Sequence, residues 1–449
     1  MINYQSEEVT VIVGAGITGL TAAYHLAGAG EPCVVLEKNK AIGGFCRTFN
    51  MDDIIFDLGP HFFFDNPDFK AEKFMMSLLK DEEIIKKRFR FSIFRNGKNW
   101  KFPISISDMI FFPMEYKRQI LSRLFSKRNK VDPGPVNAEQ EMVEKLGIKY
   151  YEKTVAHMLQ SKALVQGAQI HHDWLARVDR NVYNDKEPFM PISPIKHILI
   201  TMKQILYQAY LYPREGYKVF PQKLWRKYRQ LGGETVLGCG EICFEKDNDN
   251  IGKVIANDKE FLTKNVIWTG SINDLNDVLG SNAPRIKYVK VIIVFLSYNQ
   301  KKRVRQSFGY IYHPDKNLIF NRIYYPSAIF GRQSPRNKEG VCFELNYMEH
   351  LDNFTDQEII DRTVLDAETL GLFKKEQLRE SKVIRLGECL PVYGLDYEDK
   401  IKETFEDVHN FQNLYSIGRL GGYYFCMTPA AVSQGMKMAG HLLQNKVNR

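Results

Sequence analysis

The amino-terminal segment has the pattern of a strand, a glycine turn, a helix and a second strand that ends at an acid. The apolar strand Val9 to Val13 is followed by the turn Gly14 to Gly19 and by the helix Leu20 to Ala27. The second strand, Cys33 to Leu36, ends at Glu37. Such a turn presents backbone N–H groups to a diphosphate, while the acid binds ribose hydroxyls and disfavours a 2′-phosphate. The pattern predicts a site for FAD or NAD; the alternative is a turn that needs glycine for its backbone alone.

A second glycine pair follows the acid and narrows the choice of dinucleotide. It lies in the run Ile42 to Thr48, and the run Phe56 to His61 comes shortly after it. These runs resemble the flavoprotein superfamily of amine oxidases, protoporphyrinogen oxidases and UDP-galactopyranose mutases. The resemblance implies that the first run lines FAD and that the second lies near the isoalloxazine ring. Because NAD enzymes lack such an element, FAD is the predicted cofactor.

The carboxyl-terminal end resembles another part of the same superfamily. The run Leu414 to Tyr423 ends in glycines and precedes a helical pattern from Ala430 to Leu443. Pro429 suits the first turn of that helix. The resemblance implies that the helix points its amino terminus at the flavin, where its dipole would stabilise negative charge on the reduced ring.

The predicted fold class is α/β, with a Rossmann-like FAD-binding domain interrupted by an α+β substrate domain. The 449 residues exceed what one hydrophobic core usually holds, so two domains are expected. The resemblance implies that residues 1–65, 214–285 and 409–449 form a discontinuous FAD-binding domain and that residues 66–213 and 286–408 form the substrate domain. We expect the substrate pocket where the two domains meet.

The resemblance assigns cofactor-binding roles along the whole chain. In the middle block, the backbone of Glu241 or Ile242 would meet the adenine, and the strand Asn265 to Thr269 ends at Gly270. The complete set of candidate FAD-binding residues is Gly14, Gly16, Ile17, Thr18, Gly19, Glu37, Lys38, Gly43, Gly44, Phe45, Cys46, Arg47, Gly59, Pro60, His61, Glu241, Ile242, Thr269, Gly270, Gly418, Arg419, Met427, Thr428 and Ala431.

Three of the four candidates for catalytic roles are His61, Arg419 and Arg322. The resemblance places His61 beside the cofactor, although a histidine here can also cap a loop or pack in the core. At Arg419, which lies in a glycine-rich run, a guanidinium could bind a pyrophosphate or an anionic substrate in bidentate fashion. A surface ion pair is the alternative for Arg419. Arg322 resembles a strand arginine that faces the substrate diphosphate in the mutases.

The fourth catalytic candidate, Lys290, interrupts the otherwise apolar strand Tyr288 to Phe295. A buried lysine is costly unless it is paired or neutral. Amine-oxidising members of the superfamily keep a lysine near flavin N5 that holds a water, and the resemblance gives Lys290 this role. The alternative is a lysine on the solvent side of an edge strand.

Aromatic and sulfur-containing side chains supply further candidates. Tyr393, Tyr423 and Tyr424 are expected to offer aromatic and hydroxyl surface to a sugar or a planar ring, with ordinary core packing as the alternative. Cys426 lies where some members of the superfamily attach flavin covalently. Because the surrounding residues differ from those motifs, packing is the expected role of this thiol.

No metal site is predicted. His171, His172 and Asp173 are potential ligands, but adjacent histidines on a helix point in different directions. The seven cysteines include no CxxC pair and no zinc-type spacing, so they are expected to be reduced residues of the core or the site.

The formal charge of +9 comes partly from a basic stretch between Lys117 and Lys130 that has the pattern of an amphipathic helix. Such a helix could rest on an anionic membrane, although a solvated face is favoured. Steering of an anionic substrate is a third explanation, and nucleic-acid binding is not expected because no recognised module accompanies the charge. With no run long enough for a membrane span and a polar start at residues 1–8, a cytoplasmic location is predicted.

Together these patterns predict an FAD-dependent oxidoreductase of the amine oxidase and protoporphyrinogen oxidase type that acts on a small molecule. Hydride would pass from a substrate C–H bond to flavin N5, and a sugar-derived substrate is one candidate. The first alternative is a redox-neutral mutase in which reduced flavin attacks the anomeric carbon of a nucleotide sugar. The second is a flavin-binding protein without catalysis. The sequence leaves the electron acceptor and the oligomeric state open.

Overall fold

A computed structural model describes most of the chain. The basic stretch from Lys117 to Lys130 lies outside the described residues, apart from Arg118. None of the described helices is both long and apolar enough to cross a membrane. The described residues are 7–61, 63–64, 70–88, 91–95, 97–102, 114, 118, 136–176, 209–300, 308–331, 335 and 337–447.

The strands form two large sheets and two small ones. In chain order they are β1 (Val9–Val13), β2 (Cys33–Glu37), β3 (Thr48–Met51), β4 (Ile54–Asp57), β5 (Phe63–Phe64), β6 (Ile84–Arg88), β7 (Phe91–Arg95), β8 (Lys98–Phe102), β9 (Ala209–Pro213), β10 (Glu234–Leu237), β11 (Ile242–Asp247), β12 (Asn250–Ala256), β13 (Lys259–Trp268), β14 (Tyr288–Asn299), β15 (Tyr310–Tyr312), β16 (Arg322–Tyr324), β17 (Lys338–Tyr347), β18 (Leu378–Pro391) and β19 (Leu414–Ser416).

The helices connect these strands and cover the sheets. In chain order they are α1 (Ile17–Gly28), α2 (Lys70–Ser77), α3 (Ala138–Leu146), α4 (Ile148–Tyr150), α5 (Ala156–Ala163), α6 (Asp173–Ala176), α7 (Val219–Gln230), α8 (Ile272–Leu279), α9 (Pro326–Phe330), α10 (Asp356–Thr369), α11 (Tyr397–His409), α12 (Gly418–Gly421) and α13 (Thr428–Val447).

The first large sheet has the Rossmann-type arrangement that the amino-terminal pattern predicts. Its strand order is β10-β2-β1-β13-β12-β11, and β19 also pairs with β13. The pairs of β1 with β2 and β13, and of β2 with β10, are parallel. Both β1 and β2 are buried along their whole length, as expected for strands covered on both faces. The predicted α/β fold class is therefore confirmed.

The second large sheet is mostly antiparallel and has the order β18-β14-β17-β16-β15-β7-β8. Its long strand β14 contributes to two apolar cores, because successive side chains of a strand point to opposite faces. Val291 and Phe295 belong to the core shared with the first sheet, where Phe295 contacts Phe49 and Phe56. Ile292 belongs to a separate core that includes residues of α10.

The strands of the two large sheets come from different parts of the chain. Those of the Rossmann-type sheet lie within residues 1–65, 214–285 and 409–449, and those of the second sheet lie within residues 66–213 and 286–408. A small sheet combines β5 with β9 and β6, and so joins segments from both groups. The domain boundaries themselves stay a prediction of the sequence.

Two glycines allow close packing around α1. A Cβ atom at Gly19 would lie 2.1 Å from the carbonyl oxygen of Gly14, so a side chain there would push α1 away from the glycine turn. A Cβ atom at Gly435 would lie 2.5 Å from the carbonyl oxygen of Thr18, which places α13 directly against α1. The carboxyl-terminal helix is thereby held beside the dinucleotide turn.

One buried histidine gives the fold a predicted sensitivity to acid. His313 is 4% exposed between the rings of Phe94 and Phe320, and neither ring nitrogen has a hydrogen-bond partner among the described residues. Burial lowers the pKa of His313 from 6.5 to about 4. Because the unfolded chain takes up this proton first, the stability that neutral His313 contributes is complete above pH 6.5, decreases as the pH falls from 6.5 to about 4, and is fully lost below that.

We expect the free energy of unfolding to fall by about 2 kcal/mol between pH 7 and pH 4.5 on account of His313. The measurement is denaturant unfolding at both pH values for the wild type and for His313→Phe. The phenylalanine keeps an aromatic ring between Phe94 and Phe320 but cannot take up a proton. The same pH dependence in both proteins would contradict the prediction.

Candidate functional site

The glycine turn forms an open cradle at the amino terminus of α1. Gly14 has a φ of 109°, and a Cβ atom there would lie 2.2 Å from the hydroxyl oxygen of Thr269. Gly16 is the N-cap of α1, and a Cβ atom at this position would meet no atom within 4 Å. The first glycine is therefore required for the turn, whereas the second leaves free space in front of the helix terminus. That space suits a diphosphate, which helix N–H groups and the helix dipole would hold.

The acid at the end of β2 is held in a fixed position. Glu37 is buried and accepts hydrogen bonds from the backbone N–H of Ala15, at 2.8 Å, and from the backbone and side chain of Asn39, at 2.9 and 2.7 Å. Each carboxylate oxygen has two lone pairs, so the group can accept ribose hydroxyls as well. The sequence analysis did not single out Asn39, although it stands only two residues after Glu37.

The second glycine pair lies directly beside the cradle. Gly43 has a φ of 110°, and a Cβ atom at Gly44 would lie 3.3 Å from the Cα of Gly16. The side chain of Arg47 donates a hydrogen bond from Nε to the carbonyl oxygen of Gly44, at 3.1 Å, and so closes this loop on itself. The two glycine segments, which are separated in sequence by β2, thus form one wall of the site.

The carboxyl-terminal segment reaches the same wall. Gly418 has a φ of 89°, and a Cβ atom there would lie 3.3 Å from the hydroxyl oxygen of Thr18. Its backbone N–H donates to the side chain of Gln434, at 2.8 Å. Helix α13 begins at Thr428, two residues before the start of the pattern that predicted it. The predicted meeting of the two chain ends is therefore present in the fold.

The candidates around the start of α13 are mostly buried. Thr428 and Ala431 are below a tenth exposed, and the N–H of Ala431 donates to the carbonyl oxygen of Met427 at 3.1 Å. Cys426 is buried, and its carbonyl oxygen accepts hydrogen bonds from Nε and Nη2 of Arg419, at 3.2 and 2.6 Å. Arg419 therefore holds the loop that leads into α13.

Five further candidates come from the end of β2 and from the middle of the chain. The side chain of Thr269 donates to the carbonyl oxygen of Val13, at 2.9 Å, which places Thr269 and Gly270 beside the glycine turn. Lys38 is exposed and lies 4.0 Å from Asp274. Glu241 is exposed immediately before β11, whereas Ile242 is buried as its first residue. The adenine contact of this pair stays a prediction.

His61 is held between an aromatic ring and a backbone carbonyl group. Its ring stacks on Tyr217 at a centroid distance of 4.8 Å, and its Nε2 lies 3.0 Å from the carbonyl oxygen of Phe45. Burial, together with the charges of Arg419 and Arg322, lowers the pKa of His61 to about 3. The imidazole is therefore neutral near pH 7, and the contact with Phe45 corresponds to a hydrogen bond donated by Nε2.

Arg322 is bound to an acid that the sequence analysis missed. Glu344 is its cross-strand neighbour in the β16–β17 pair and accepts from both Nε and Nη2 of Arg322. The two side chains are 17% and 11% exposed. Although burial works against the charge of Arg322, the Glu344 carboxylate and the rings of Tyr312 and Tyr310 raise its pKa.

Gly59 lies next to this ion pair and belongs to the run Phe56 to His61, which is predicted to lie near the flavin. Its φ is 82°, and a Cβ atom there would lie 3.2 Å from Oε2 of Glu344 and 3.7 Å from Nη2 of Arg322. Pro60 and His61 follow it directly. We call Gly59, His61, Arg322, Glu344 and Arg419 the arginine cluster. Glu344 lies 22 residues from Arg322 in the sequence. Only the register of the strands therefore shows that it belongs to the arginine cluster.

The structure does not bring Lys290 to the arginine cluster. Its ammonium group forms an ion pair with Asp352 at 2.6 Å, on the face of β14 that points toward α10 and away from the Rossmann-type sheet. The expectation of a lysine beside flavin N5 therefore has no support from its placement. The alternative was also wrong in one respect, because β14 lies between β17 and β18 and is not an edge strand.

We expect Lys290→Met to leave the rate of flavin reoxidation by oxygen unchanged, because the side chain lies on the far face of the sheet. The partly exposed ion pair with Asp352 should contribute less than about 1 kcal/mol to the free energy of unfolding. Stopped-flow reoxidation and denaturant unfolding measure the two effects, and Asp352→Asn is the matched control for stability. A clearly slower reoxidation would return Lys290 to the site.

The three candidate substrate tyrosines are buried in the core. Tyr393 stacks on Tyr397 at 4.5 Å, and its hydroxyl accepts from the N–H of Phe425 at 2.9 Å. The hydroxyl of Tyr423 donates to backbone carbonyl oxygens, including that of Val392 at 2.6 Å. Tyr424 is 3% exposed. These placements agree with the alternative of core packing.

The reasoning against a metal site was wrong in its geometry. His171 and His172 are not on a helix: His171 forms an isolated β-bridge with Asn137, and α6 starts only at Asp173. The two imidazole rings lie 4.5 Å apart and meet Asp173. Extended backbone and a turn bring together side chains that a helix would have separated.

The glycine cradle matches known proteins in sequence. A family model described as an NAD(P)-binding Rossmann-like domain matches residues 12–78. Over 50 residues the chain is 54% identical to an L-amino-acid oxidase of Sistrurus catenatus edwardsii. This match covers 11% of the present chain and 10% of the relative. The sequence similarity is therefore confined to a small part of that protein.

The fold matches solved structures over nearly the whole chain. Reduced UDP-galactopyranose mutase aligns over 98% of this chain and 96% of its own, with a TM-score of 0.76 and 15% identity. A protein of Exiguobacterium sp. 255-15, provisionally named a protoporphyrinogen oxidase, aligns over 97% of this chain and 99% of its own, with a TM-score of 0.74 and 14% identity. The chain therefore has the fold of these two proteins, and its amino-terminal segment has the sequence of a Rossmann-like dinucleotide-binding domain.

Proposed function

We propose that the protein is an FAD-dependent oxidoreductase that removes a hydride from a C–H bond of a small-molecule substrate. The open cradle at Gly16 and the buried acid Glu37 support binding of a dinucleotide. The L-amino-acid oxidase that shares the cradle sequence is an oxidoreductase by name. FAD, when bound, supplies a ring that accepts two electrons and a proton from the substrate.

The residues of the chain would hold and orient the reactants. The glycine turn and the amino terminus of α1 would bind the diphosphate, and Glu37 the ribose. The amino terminus of α13 would stabilise negative charge that develops on the reduced ring. In its neutral form, His61 would offer a polar edge without adding a third positive charge next to Arg322 and Arg419.

The single observation that carries the choice of an oxidoreductase is the ion pair of Arg322 with Glu344. A mutase acting on a nucleotide sugar needs cationic groups for the substrate diphosphate. Arg322 has its charge balanced by Glu344, and Arg419 donates to the carbonyl oxygen of Cys426. A substrate without a diphosphate suits this arrangement better, since it requires neither arginine to leave its present acceptor.

A second candidate function is the redox-neutral mutase of nucleotide sugars. It is favoured by one observation, namely that both arginines lie close to the segments around His61: Arg419 lies over the ring of Phe45, whose carbonyl oxygen contacts His61, and Arg322 lies beside Gly59. For this function Arg322 would have to exchange Glu344 for the substrate diphosphate. A nucleotide sugar as substrate, contact with a membrane surface and the cytoplasmic location stay predictions.

Anaerobic titration of the flavin absorbance distinguishes the candidates. The purified protein is titrated, without added reductant, with a panel of amines, protoporphyrinogen and UDP-sugars. We expect one of the amines or protoporphyrinogen to bleach the flavin, because hydride transfer reduces it. Binding of a UDP-sugar without bleaching, followed by turnover only after reduction with dithionite, would establish the mutase instead. Neither bleaching nor turnover across the panel would favour a flavin protein without catalysis.

A further inference from the structure

Outside the proposed flavin site, two histidines and two carboxylates converge at the start of α6. His171, His172 and Asp173 are consecutive, and Glu141 faces them from α3. We propose that His171, His172 and Asp173 bind a divalent transition-metal ion of the zinc type, with Glu141 beside His172 as a further carboxylate. This site is independent of the flavin chemistry.

The distances between the ligand atoms are close to those of a metal site. Nδ1 of His171 lies 3.6 Å from Oδ2 of Asp173, and Nδ1 of His172 lies 3.7 Å from Oδ1 of the same carboxylate. Nδ1 of His172 also lies 4.0 Å from Oε2 of Glu141. Two ligands of a tetrahedral zinc ion are about 3.4 Å apart when each bond is about 2.1 Å long. The ligand atoms of His171, His172 and Asp173 all lie within 4.8 Å of one another, so side-chain rotation would be needed to bring them around one ion.

The fold fixes the backbone that presents these ligands. Ile170 and His171 form β-bridges with Gly394 and Asn137, and the N–H of His171 donates to the carbonyl oxygen of Tyr393 at 2.8 Å. The segment is therefore extended up to the point where α6 begins. This geometry, rather than a helical spacing, aims both imidazoles at Asp173.

A hydrogen bond from Tyr397 orients the carboxylate of Asp173. Tyr397 donates its hydroxyl to Oδ2 of Asp173, which leaves Oδ1 directed toward His172. Carboxylate ligands of metal ions are commonly held by such an outer hydrogen bond. His171 accepts a hydrogen bond from the N–H of Asp173 at 3.2 Å, and metal binding would exchange that bond for coordination by Nδ1.

Ligand type and burial indicate which class of ion fits. Imidazole ligands favour zinc and its neighbours over magnesium or calcium. The side chains of Asp173, Glu141 and His171 are 3%, 11% and 13% exposed, whereas His172 is 34% exposed. The site is therefore enclosed by protein on one side and open to an entering ion at His172.

The bound ion would link three elements that are distant in sequence. Glu141 belongs to α3, the histidines belong to the extended segment before α6, and Tyr397 begins α11. Tyr397 stacks on Tyr393, whose hydroxyl receives the N–H of Phe425 beside the loop that Arg419 holds. We therefore assign the ion a structural role, in which it fastens the helical segment against the part of the chain that leads to α13.

The test is zinc binding by the untagged, flavin-containing protein after removal of metals with EDTA and dialysis. Isothermal titration with ZnCl₂ should show one ion per chain, and MgCl₂ should give no saturable binding. We expect His172→Ala to weaken zinc binding at least tenfold, since a ligand is lost. His350→Ala, which removes an exposed histidine elsewhere, is the matched control and should bind as the wild type does.

A second variant and a second readout protect the test against misfolding. Glu141→Gln keeps the shape of the side chain and should also weaken zinc binding, and zinc should raise the melting temperature of the wild type more than that of either variant. Absence of saturable zinc binding in the wild type would overturn the proposal. Zinc affinity in His172→Ala equal to that of the wild type would also overturn it. Loss of zinc binding in Cys243→Ser would assign the ion to the exposed thiol and so overturn the proposal as well.

Discussion

Replacing Gly16 with valine is expected to abolish the retention of FAD while leaving the fold intact. Gly16 has φ and ψ angles of −74° and 179°, which a valine adopts without strain. A Cβ atom there would meet no protein atom within 4 Å. The branched side chain would instead fill the space over the amino terminus of α1, where we place the diphosphate. The measurement is the ratio of flavin to protein after purification, together with circular dichroism.

The matched control for this variant is Gly440→Ala. Gly440 lies within α13, and a Cβ atom there also meets nothing within 4 Å, but the position is outside the cradle. Alanine should favour the helix by roughly 1 kcal/mol relative to glycine and leave the flavin content unchanged. Full flavin content in Gly16→Val would show that the diphosphate lies elsewhere.

Removing one member of the Arg322–Glu344 pair should cost far more stability than removing both. Glu344→Met leaves the Arg322 guanidinium largely buried without its acid, and we expect the free energy of unfolding to fall by about 3 kcal/mol. In the double variant Arg322→Met/Glu344→Met, two apolar side chains replace the pair, and stability should return to within about 1 kcal/mol of the wild type. Urea unfolding of the wild type, both single variants and the double variant measures the coupling energy.

An exposed ion pair supplies the control for this cycle. Arg285 and Asp277 are 59% and 62% exposed, so Asp277→Asn should change the free energy of unfolding by less than about 1 kcal/mol. If Glu344→Met costs no more than Asp277→Asn, the Arg322 charge is well solvated. The argument that Glu344 occupies this arginine in place of a substrate diphosphate would then lose its basis.

The dinucleotide segment could be predicted from the sequence because its signals are local. The turn Gly14 to Gly19, the two flanking strands and Glu37 lie close together in the chain, and each has a backbone requirement that few residues meet. The carboxyl-terminal helix, which has Pro429 in its first turn, could be predicted for the same reason, although it starts two residues earlier than the pattern indicated. Agreement between neighbouring signals made these assignments specific.

The misjudged and missed residues depend on contacts between distant parts of the chain. Lys290 was assigned to the flavin by resemblance, but the alternation of β14 turns it toward Asp352. Glu344 has no distinguishing pattern of its own until the β16–β17 register pairs it with Arg322. The histidines were assigned to a helix, whereas a β-bridge to Asn137 keeps His171 in extended backbone.

By itself, the sequence determined the α/β class, the glycine cradle and the acid at the end of β2, because glycine conformations, apolar periodicity and a strand-terminal acid act over a few residues. The tertiary structure alone decided which charges are balanced, which face of β14 carries Lys290 and whether the side chains of His171, His172 and Asp173 meet. Strand register and helix packing set these relations, and they depend on the energy of many contacts between segments far apart in the chain.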